Sequence, residues 1–290
     1  MLFPVNGDPY RDNVALHLPM TGANNSTTFI DVSPTPKTIT RYGNTKILTA
    51  QSKWGQGSVY FDGTGDNLEV EDVSGLHFST SASTAQKGAA DFCLEFWFYY
   101  NAGLSFCFQH GASGSGTGSV AENRGGLSFK LVSTSITVSA GNLSVDGALG
   151  YYSRSTGSLS WATGWYYITL ACVSNVPSIF VGGILKPLSV VNYAPSASVV
   201  NFSDCKIYCP RPLNIMSGAA YQGVADTTLT SGAASFYQGY IQDLRITKGI
   251  ARYTTDFAVS SGPLPYRSPE YPVRRIHQPN PSHQIARLGL

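Results

Sequence analysis

The chain has 290 residues, of which 42% are hydrophobic and 12% are charged, and its formal net charge is +2 at pH 7. This length allows one sizeable core, and all-β sandwiches often reach it as a single domain. Residues 266–290 contain four arginines and only one acidic residue, Glu270, so the end of the chain is basic and the rest is nearly neutral. Nucleic-acid binding rests on neutralising several phosphates together, so no nucleic-acid partner is predicted.

The chain starts with an N-terminal arm, residues 1–11, which holds two prolines and shows no periodicity. It lacks a basic start followed by a long apolar run, so no secretory leader is predicted. The longest apolar runs, such as residues 96–100, are far shorter than the about 20 residues that span a bilayer. We therefore expect no membrane insertion.

Short runs rich in β-branched and aromatic residues follow the arm, separated by glycine and other turn residues, and no helix is predicted. The predicted strands, in chain order, are residues 14–18, 38–41, 58–62, 67–70, 92–100, 105–109, 127–132, 135–139, 151–153, 165–173, 178–181, 199–208 and a closing strand, 237–253. This many strands fits two packed sheets with alternating inward residues.

Two stretches interrupt this pattern. Residues 111–119 are a run of glycine with serine, threonine and alanine, which predicts a surface loop. Residues 210–234 hold mostly small residues and look like an insertion just before the closing strand. Long loops often carry binding sites, although variable filler is equally common.

The closing strand alternates polar and apolar residues. Ile241, Leu244 and Ile246 are spaced for burial, and the step at Gln242 and Asp243 allows a small irregularity between them. The pattern predicts a strand with one face in the core and the other in water.

Six segments come in a characteristic order along the chain. They are NVALHL at 13–18, TFIDVSP at 28–34, GSVYFDG at 57–63, DFCLEFWF at 91–98, GWYYI at 164–168 and the closing strand. Together they resemble the laminin-G-like, concanavalin A-like lectin domain of the type found in tailed-phage virion proteins. The resemblance implies an all-β fold, a two-sheet antiparallel jelly-roll sandwich.

This resemblance divides the chain into an N-terminal arm (1–11), a laminin-G-like jelly-roll domain (12–262) and an extended basic, proline-rich tail (263–290). The tail holds six prolines, which block regular strands. We expect the tail to anchor the chain in an assembly, with its arginines as the anchoring residues: Arg267, Arg274, Arg275 and Arg287.

The resemblance implies a non-enzymatic structural protein of a tailed-phage virion, made in the host cytoplasm. It would be a tail or fibre component or a capsid decoration protein, and its partners would be other virion proteins and copies of itself. Adsorption to host-surface glycans is the role that a lectin-like domain suggests. The alternatives are a free carbohydrate-binding lectin and, less favoured, a glycoside hydrolase.

The hydrolase alternative depends on paired carboxyl groups. Retaining hydrolysis needs two of them about 5 Å apart. Glu69 and Glu71 could share one strand face, but the third acid of the laminarinase-type pattern is missing. We interpret them as acids at a solvated strand end, and Glu95 as part of a polar alternation. No catalytic residue is predicted.

A structural Ca²⁺ is the one cofactor alternative, because laminin-G-like domains often hold one. Asp31 and Asp243 are the candidate ligands, although Gln242 stands where many relatives carry a second carboxylate. Asp62 and Asp66 also lie in a short acidic turn, which we interpret as hairpin chemistry with side chains bonding the local backbone.

Glycan binding would use exposed aromatic rings at loop ends, which stack on pyranose faces. The candidate rings in or beside predicted loops are Tyr151, Tyr152, Trp161, Tyr193 and Tyr221. Trp54, Trp97 and Trp165 lie in segments whose pattern predicts a position in the core. The alternative to glycan binding is a structural role, because tyrosines line the rim of most β-sandwiches.

The five cysteines, an odd number, are interpreted as reduced residues, most of them in apolar strand contexts. Cys205 and Cys209 are close enough in sequence for a zinc pair or a local disulfide. No histidine pair at suitable spacing supports zinc, and both alternatives are less favoured than free thiols.

Overall fold

The computed structural model describes residues 7–71, 74–79, 88–101, 105–111, 126–132, 134–141, 150–191, 198–199, 201–205, 213–217 and 238–267. Within these ranges the chain forms seventeen strands and three short 3-10 helices, at Arg11–Asn13, Ser74–Leu76 and Phe202–Asp204. No helix in the described ranges is long and apolar enough to cross a bilayer. The predicted all-β jelly-roll sandwich is confirmed.

Apart from those at 46–48, 184–186, 188–190 and 213–217, which were not predicted, most of the seventeen strands lie close to the predicted positions. The seventeen strands are β1 Val14–Leu18, β2 Ile39–Tyr42, β3 Lys46–Leu48, β4 Ser58–Asp62, β5 Asn67–Val70, β6 Phe92–Tyr100, β7 Ser105–Gly111, β8 Gly126–Val132, β9 Ser135–Gly141, β10 Gly150–Thr156, β11 Gly164–Val173, β12 Val176–Val181, β13 Ile184–Lys186, β14 Leu188–Val190, β15 Ser198–Val199, β16 Leu213–Ser217 and β17 Gln238–Lys248.

These strands form two sheets. The eight-stranded sheet has the order β13-β12-β11-β6-β17-β4-β3, with β1 also paired to β17. The nine-stranded sheet has the order β14-β10-β9-β8-β7-β16-β5-β2, with β15 paired to β10. All pairs are antiparallel except β10 with β15.

Two predicted segments differ from the structure. The predicted strand 199–208 is wrong in its described part, because β15 ends at Val199 and a 3-10 helix, Phe202–Asp204, follows. The insertion-like stretch 210–234 contains β16, which lies between β7 and β5 inside the nine-stranded sheet. The rest of that stretch and residues 112–119 lie outside the described ranges.

The main core lies between the two sheets and is rich in phenylalanine. Alternate residues of each strand point into it, as the period of two requires. Its largest fully buried members are Phe61, Phe78, Phe92, Phe96, Phe98, Phe106, Phe108 and Phe129.

The acidic turn between Asp62 and Asn67 joins the two sheets, so it is a corner of the sandwich and not a hairpin. The predicted side-chain chemistry is present, because the Asp66 carboxylate accepts hydrogen bonds from the backbone N–H groups of Asp62 (2.6 Å) and Asn44 (2.6 Å). Burial raises the pKa of Asp66, although these hydrogen bonds oppose the rise.

The predicted irregularity in the closing strand is a β-bulge. The pairing of β17 with β6 shifts between Gln242 and Arg245, and Asp243 has a positive φ of 60°. The predicted water-facing side of this strand is wrong, since residues 241–247 are all buried. A second layer therefore covers the outer face of the eight-stranded sheet.

That layer is the C-terminal segment, residues 249–267. Its Leu264 is only 4% exposed and packs on Trp97 and Tyr167, with Phe257 and Val259 beside them. Leu264, which the predicted boundary places in the tail, thus packs on the sheet. The arm also joins this layer, because the Asp8 backbone N–H donates to the carbonyl of Arg267 (2.9 Å).

Cys93 and Cys172 are buried and free, as predicted, and Cys205 is buried as well. Burial raises the pKa of Cys172 to about 12 and that of Cys93 well above its ordinary value. Such thiols behave as small apolar residues. The side chain of Cys107 and the whole of Cys209 lie outside the described part of the chain.

Candidate functional site

Four aromatic residues form one lateral row across the outer face of the eight-stranded sheet. In register, Tyr240 of β17 lies opposite Tyr60 of β4 on one side and Tyr99 of β6 on the other, and Tyr99 lies opposite Trp165 of β11. Directly opposite residues of antiparallel strands share a face. We call these four residues the aromatic row.

The rings of the aromatic row touch one another in sequence. The centroid distances are 4.9 Å for Tyr60 and Tyr240, 5.9 Å for Tyr240 and Tyr99, and 5.3 Å for Tyr99 and Trp165. Their neighbours along each strand, such as Phe61, point to the main core, so these rings point away from it. All four are half-buried and keep part of their surface in solvent.

Polar groups lie at the border of the row. The side-chain amide of Gln238 donates to the hydroxyl of Tyr60 (3.0 Å). Burial, and then the neighbouring hydroxyls of Tyr60 and Tyr99, raise the pKa of Tyr240, so its hydroxyl stays protonated and able to donate. Neighbouring rings are inclined by 42°, 86° and 64°, so the surface combines ring faces and ring edges with hydrogen-bonding groups.

Along the strands the aromatic row borders the covered part of the same face. Two residues before Tyr99 on β6, Trp97 is 6% exposed and contacts Tyr167 (5.1 Å between centroids) and Trp54 (5.5 Å, edge to face). Leu264 of the C-terminal segment closes this cluster. The aromatic row is therefore less covered than the neighbouring pair Trp97 and Tyr167.

Further along the same face, four charged side chains form a buried cluster under the C-terminal segment. Arg245 donates to Glu95 (2.8 Å) and to Asp8 (3.0 Å). Arg252 binds the Asp8 carboxylate with both terminal nitrogens, at 2.9 and 2.7 Å. Two carboxylates balance two guanidinium groups, so the cluster carries no net charge.

Tyrosine hydroxyls complete the hydrogen bonding of Glu95. The hydroxyls of Tyr253 (2.9 Å) and Tyr167 both donate to its Oε2. Burial, followed by the Glu95 charge, raises the pKa of both tyrosines. Glu95, interpreted above as part of a polar alternation, is fully buried. Its partners join the sheet to the C-terminal segment, which indicates a structural role.

The two predicted calcium ligands both contact His17, which is fully buried. Asp31 accepts hydrogen bonds from the backbone N–H groups of His17 (2.9 Å), Ser33 (2.9 Å) and Lys37 (2.8 Å). Asp243 contacts His17 Nε2 (2.8 Å) and accepts from the Leu264 N–H (2.6 Å).

Each carboxylate oxygen of Asp31 and Asp243 is thus engaged by a protein group. Calcium needs six to eight free oxygen ligands, so these residues as arranged do not fit a calcium site. Within the described ranges, no group of three or more His, Cys, Asp or Glu side chains is placed to hold a metal ion.

The two predicted glycan-binding rings that the structure describes, Tyr152 and Trp161, lie in different surroundings. Tyr152 lies inside β10, within the predicted strand 151–153, but it is only 7% exposed, with its ring against Phe202. Trp161 is half-buried at the edge of the main core, stacked on Tyr100. The side chain of Tyr151, and Tyr193 and Tyr221 entirely, lie outside the described ranges.

The carboxylates of the hydrolase alternative take part in local contacts. The Glu71 carboxylate accepts from the Thr38 backbone N–H (2.8 Å), and that of Glu69 accepts from the Tyr42 hydroxyl (3.5 Å). Arg267 is the one predicted anchoring residue in the described part, with an exposed side chain beside Tyr266. Arg274, Arg275 and Arg287 lie beyond it.

The sequence pattern did not single out the aromatic row, because Trp165 was interpreted as a core residue and the three tyrosines lie on strands that are distant in sequence. The signal was present in the alternation itself: in β6 and β11, rings at positions 97 and 99 and at 165 and 167 occupy the strand face opposite to the core phenylalanines. When both faces of a strand are rich in aromatic rings, one face packs in the core, and the other is expected to be covered by another segment or to bind a ligand.

Comparison with known proteins gives a fold and no family. No family model and no curated protein matches the chain. Among solved structures, the binding domain of botulinum neurotoxin serotype G is similar at 14% identity and a TM-score of 0.52, over 83% of this chain and 49% of that one. This chain thus spans about half the length of that domain.

Two further solved structures are similar at 12% identity. Domain 4 of an extracellular arabinanase from Geobacillus stearothermophilus, in complex with arabinotriose, matches over 82% of this chain and 94% of its own, with a TM-score of 0.45. A Trypanosoma rangeli sialidase matches over 83% and 31%, with a TM-score of 0.40. At such identities, the likeness of the neurotoxin domain establishes the sandwich fold alone.

Proposed function

We propose that this chain is a non-enzymatic, lectin-like module that binds carbohydrate on the aromatic row. The observation that carries the proposal is the alignment of four partly exposed rings across four adjacent strands, Tyr60, Tyr240, Tyr99 and Trp165. A pyranose has a flat apolar face and a polar edge, and such a ring row offers the matching pair of surfaces.

The dimensions of the row suit a short oligosaccharide. Neighbouring strands are about 4.8 Å apart, so four rings on adjacent strands span about 14 Å, a length that accommodates several sugar rings in sequence. The rings are held by the strands and by one another, so their side chains lose little conformational entropy when a ligand binds. The Gln238 amide and the tyrosine hydroxyls supply hydrogen bonds for sugar hydroxyl groups.

A binding role also agrees with how the sheet is built. The buried charges under the C-terminal segment are paired with one another, as expected of a structural cluster. The similarity to a neurotoxin binding domain supports a scaffold that presents a binding surface. Turnover of a glycan that Glu69→Gln abolishes would contradict the non-enzymatic part of the proposal.

The test is glycan-array binding followed by calorimetry on the best ligand. Tyr99→Leu and Trp165→Leu keep apolar bulk and remove the flat ring, and each should weaken binding on the order of tenfold. Tyr42→Leu is the matched control, because Tyr42 is 40% exposed on β2 of the other sheet. The control should bind like the parent.

Thermal melting of each variant separates lost binding from lost folding. If folded Tyr99→Leu and Trp165→Leu proteins bind as tightly as the parent, the aromatic row is not the site. If the parent binds no glycan, the proposal fails as a whole.

We further propose that the module belongs to the particle of a tailed phage, as a tail, fibre or decoration component. This setting is supported by the sequence resemblance and by the basic tail that follows the domain. Gold-labelled antibody against the β-domain, imaged on purified particles, tests it. Label on the head indicates decoration, label on the tail indicates adsorption or tail assembly, and particles without label would favour a free lectin.

A further inference from the structure

Two lysines lie against the aromatic row without a carboxylate partner in the described part of the chain. Lys46 of β3 is in register with Tyr60, so it extends the row by one strand. Lys53 places its ammonium 4.2 Å from the ring centroid of Trp97 and 5.5 Å from that of Trp54. The ion pairs found among the described residues include neither lysine.

The position of Lys46 follows from strand alternation. Its neighbour Ile47 is fully buried in the main core, so Lys46 points to the outer face together with Tyr60. It therefore stands at the outer end of the row, where a ligand lying across the strands would end.

Lys53 lies beside the row, over Trp97. Trp97 precedes Tyr99 by two residues on β6, so an ammonium over Trp97 lies next to the row on its covered side. The Lys53 backbone N–H donates to the Gln242 side chain (2.7 Å), which holds this loop against the sheet. The cation is therefore positioned by the fold.

The nearest acid along β4 is already used by the protein. The Asp62 carboxylate accepts from the Asn44 side chain (3.0 Å) and from the Thr64 backbone N–H (2.7 Å). Even with Asp62 counted, the two lysines leave the border of the row positive.

We propose that the aromatic row selects anionic oligosaccharides, whose carboxylate or sulfate groups pair with Lys46 and Lys53 while the sugar faces stack on the rings. This inference rests on the proposed function and goes further by naming the ligand class. The rings supply affinity for any suitable sugar, and the lysines supply the preference for charge.

The experiment measures binding of three probes by calorimetry: trigalacturonic acid, its uncharged methyl ester and a sulfated galactotriose. The parent protein should prefer an acidic probe to the ester by about tenfold, and added salt should reduce this preference. The acidic probe that binds more tightly indicates whether the site prefers carboxylate or sulfate groups.

The double variant Lys46→Gln, Lys53→Gln should lose most of the preference and keep the affinity for the ester. Lys46→Gln alone should lose about threefold on the acidic probe, which guards against a folding effect at Lys53. Lys186→Gln is the matched control, because Lys186 is a half-buried lysine on β13, at the far edge of the same sheet.

Equal affinity for the acidic and neutral probes in the parent would overturn this inference and leave the proposed function standing. An acidic preference that persists in the double variant would overturn it as well. Failure of the parent to bind any probe or array glycan would overturn the proposed function and this inference together.

Discussion

Asp8 joins the beginning of the chain to its end. Its carboxylate is fully buried and accepts from both Arg245 and Arg252, while its backbone N–H donates to the carbonyl of Arg267. Burial alone would raise the pKa of Asp8, but the hydrogen bond from Arg252 and the charges of both arginines outweigh burial and lower it. The folded state therefore favours the charged carboxylate.

Replacing Asp8 by Asn should lower the free energy of unfolding at pH 7 by about 3 kcal/mol, because two buried guanidinium groups lose a balancing charge. Urea unfolding measures this loss. Asp12→Asn is the control: Asp12 is exposed in the 3-10 helix that follows the arm, and its variant should change stability by less than about 0.5 kcal/mol.

The same pair of proteins gives a pH test with a definite sign. A lowered carboxyl pKa contributes stability above the unfolded value of about 4 and loses that contribution as the pH falls through the folded value. The difference between the parent and Asp8→Asn should therefore shrink below pH 4. A difference that stays constant down to pH 2 would show that the charge of Asp8 does not stabilise the fold.

At the scale of elements, the C-terminal segment works as a third layer on the sandwich. It turns back after β17 and contacts the sheet through Arg252, Tyr253, Phe257 and Leu264. It also reaches the β12–β13 turn, where the Phe257 N–H donates to the carbonyl of Gly183 (2.9 Å). The charged side chains of Arg245 and Glu95 can be buried because this segment supplies their remaining hydrogen-bond partners.

Gly183→Ala should detach part of this segment. Gly182 and Gly183 both have positive φ, at 60° and 79°, so alanine is strained at either position. Only at Gly183 would an added Cβ overlap the Phe257 carbonyl oxygen, whereas the space beside Gly182 is open. Gly183→Ala should therefore cost about 1–3 kcal/mol more than Gly182→Ala.

Denaturant unfolding of the two variants measures that difference, and quenching of tryptophan emission reports whether the cover over Trp97 has loosened. Equal stability of the two variants would mean that the segment can shift without loss and does not fasten the outer layer.

At the scale of the whole molecule, the two sheets have different surroundings. The C-terminal segment and the arm bury the central part of the outer face of the eight-stranded sheet, whereas the aromatic row keeps part of its surface in solvent. Function is expected at this partly exposed row, and assembly is expected from the basic residues beyond Arg267. Recognition and anchoring would then use separate parts of the chain.

Deleting residues 268–290 should abolish assembly of the full chain and leave the melting temperature of the β-domain nearly unchanged, since the contacts of the C-terminal segment described above end at Arg267. Light scattering with size-exclusion chromatography and thermal melting give the two readouts. Replacing Arg274, Arg275 and Arg287 by Gln in the full chain tests whether charge carries the effect. Normal assembly of the truncated chain would refute the anchoring role.

Local pattern alone was enough to predict much of the fold. The alternation in Phe92–Phe98 and the run Ser58–Asp62 predicted their strands at the correct residues, because side-chain period and turn residues are local properties. The bulge at Asp243 was predicted from the same local spacing. The sandwich class followed from the number and spacing of such strands.

Alternation shows that successive side chains face opposite sides, but it does not show what covers each side. Only the tertiary structure decided that Arg245 and Glu95 are buried together and that β16 lies inside a sheet. The aromatic row joins residues 60, 99, 165 and 240, which become neighbours through pairing between strands distant in sequence. Strand order rests on these non-local contacts, so a site built across strands becomes visible only when the strands are placed.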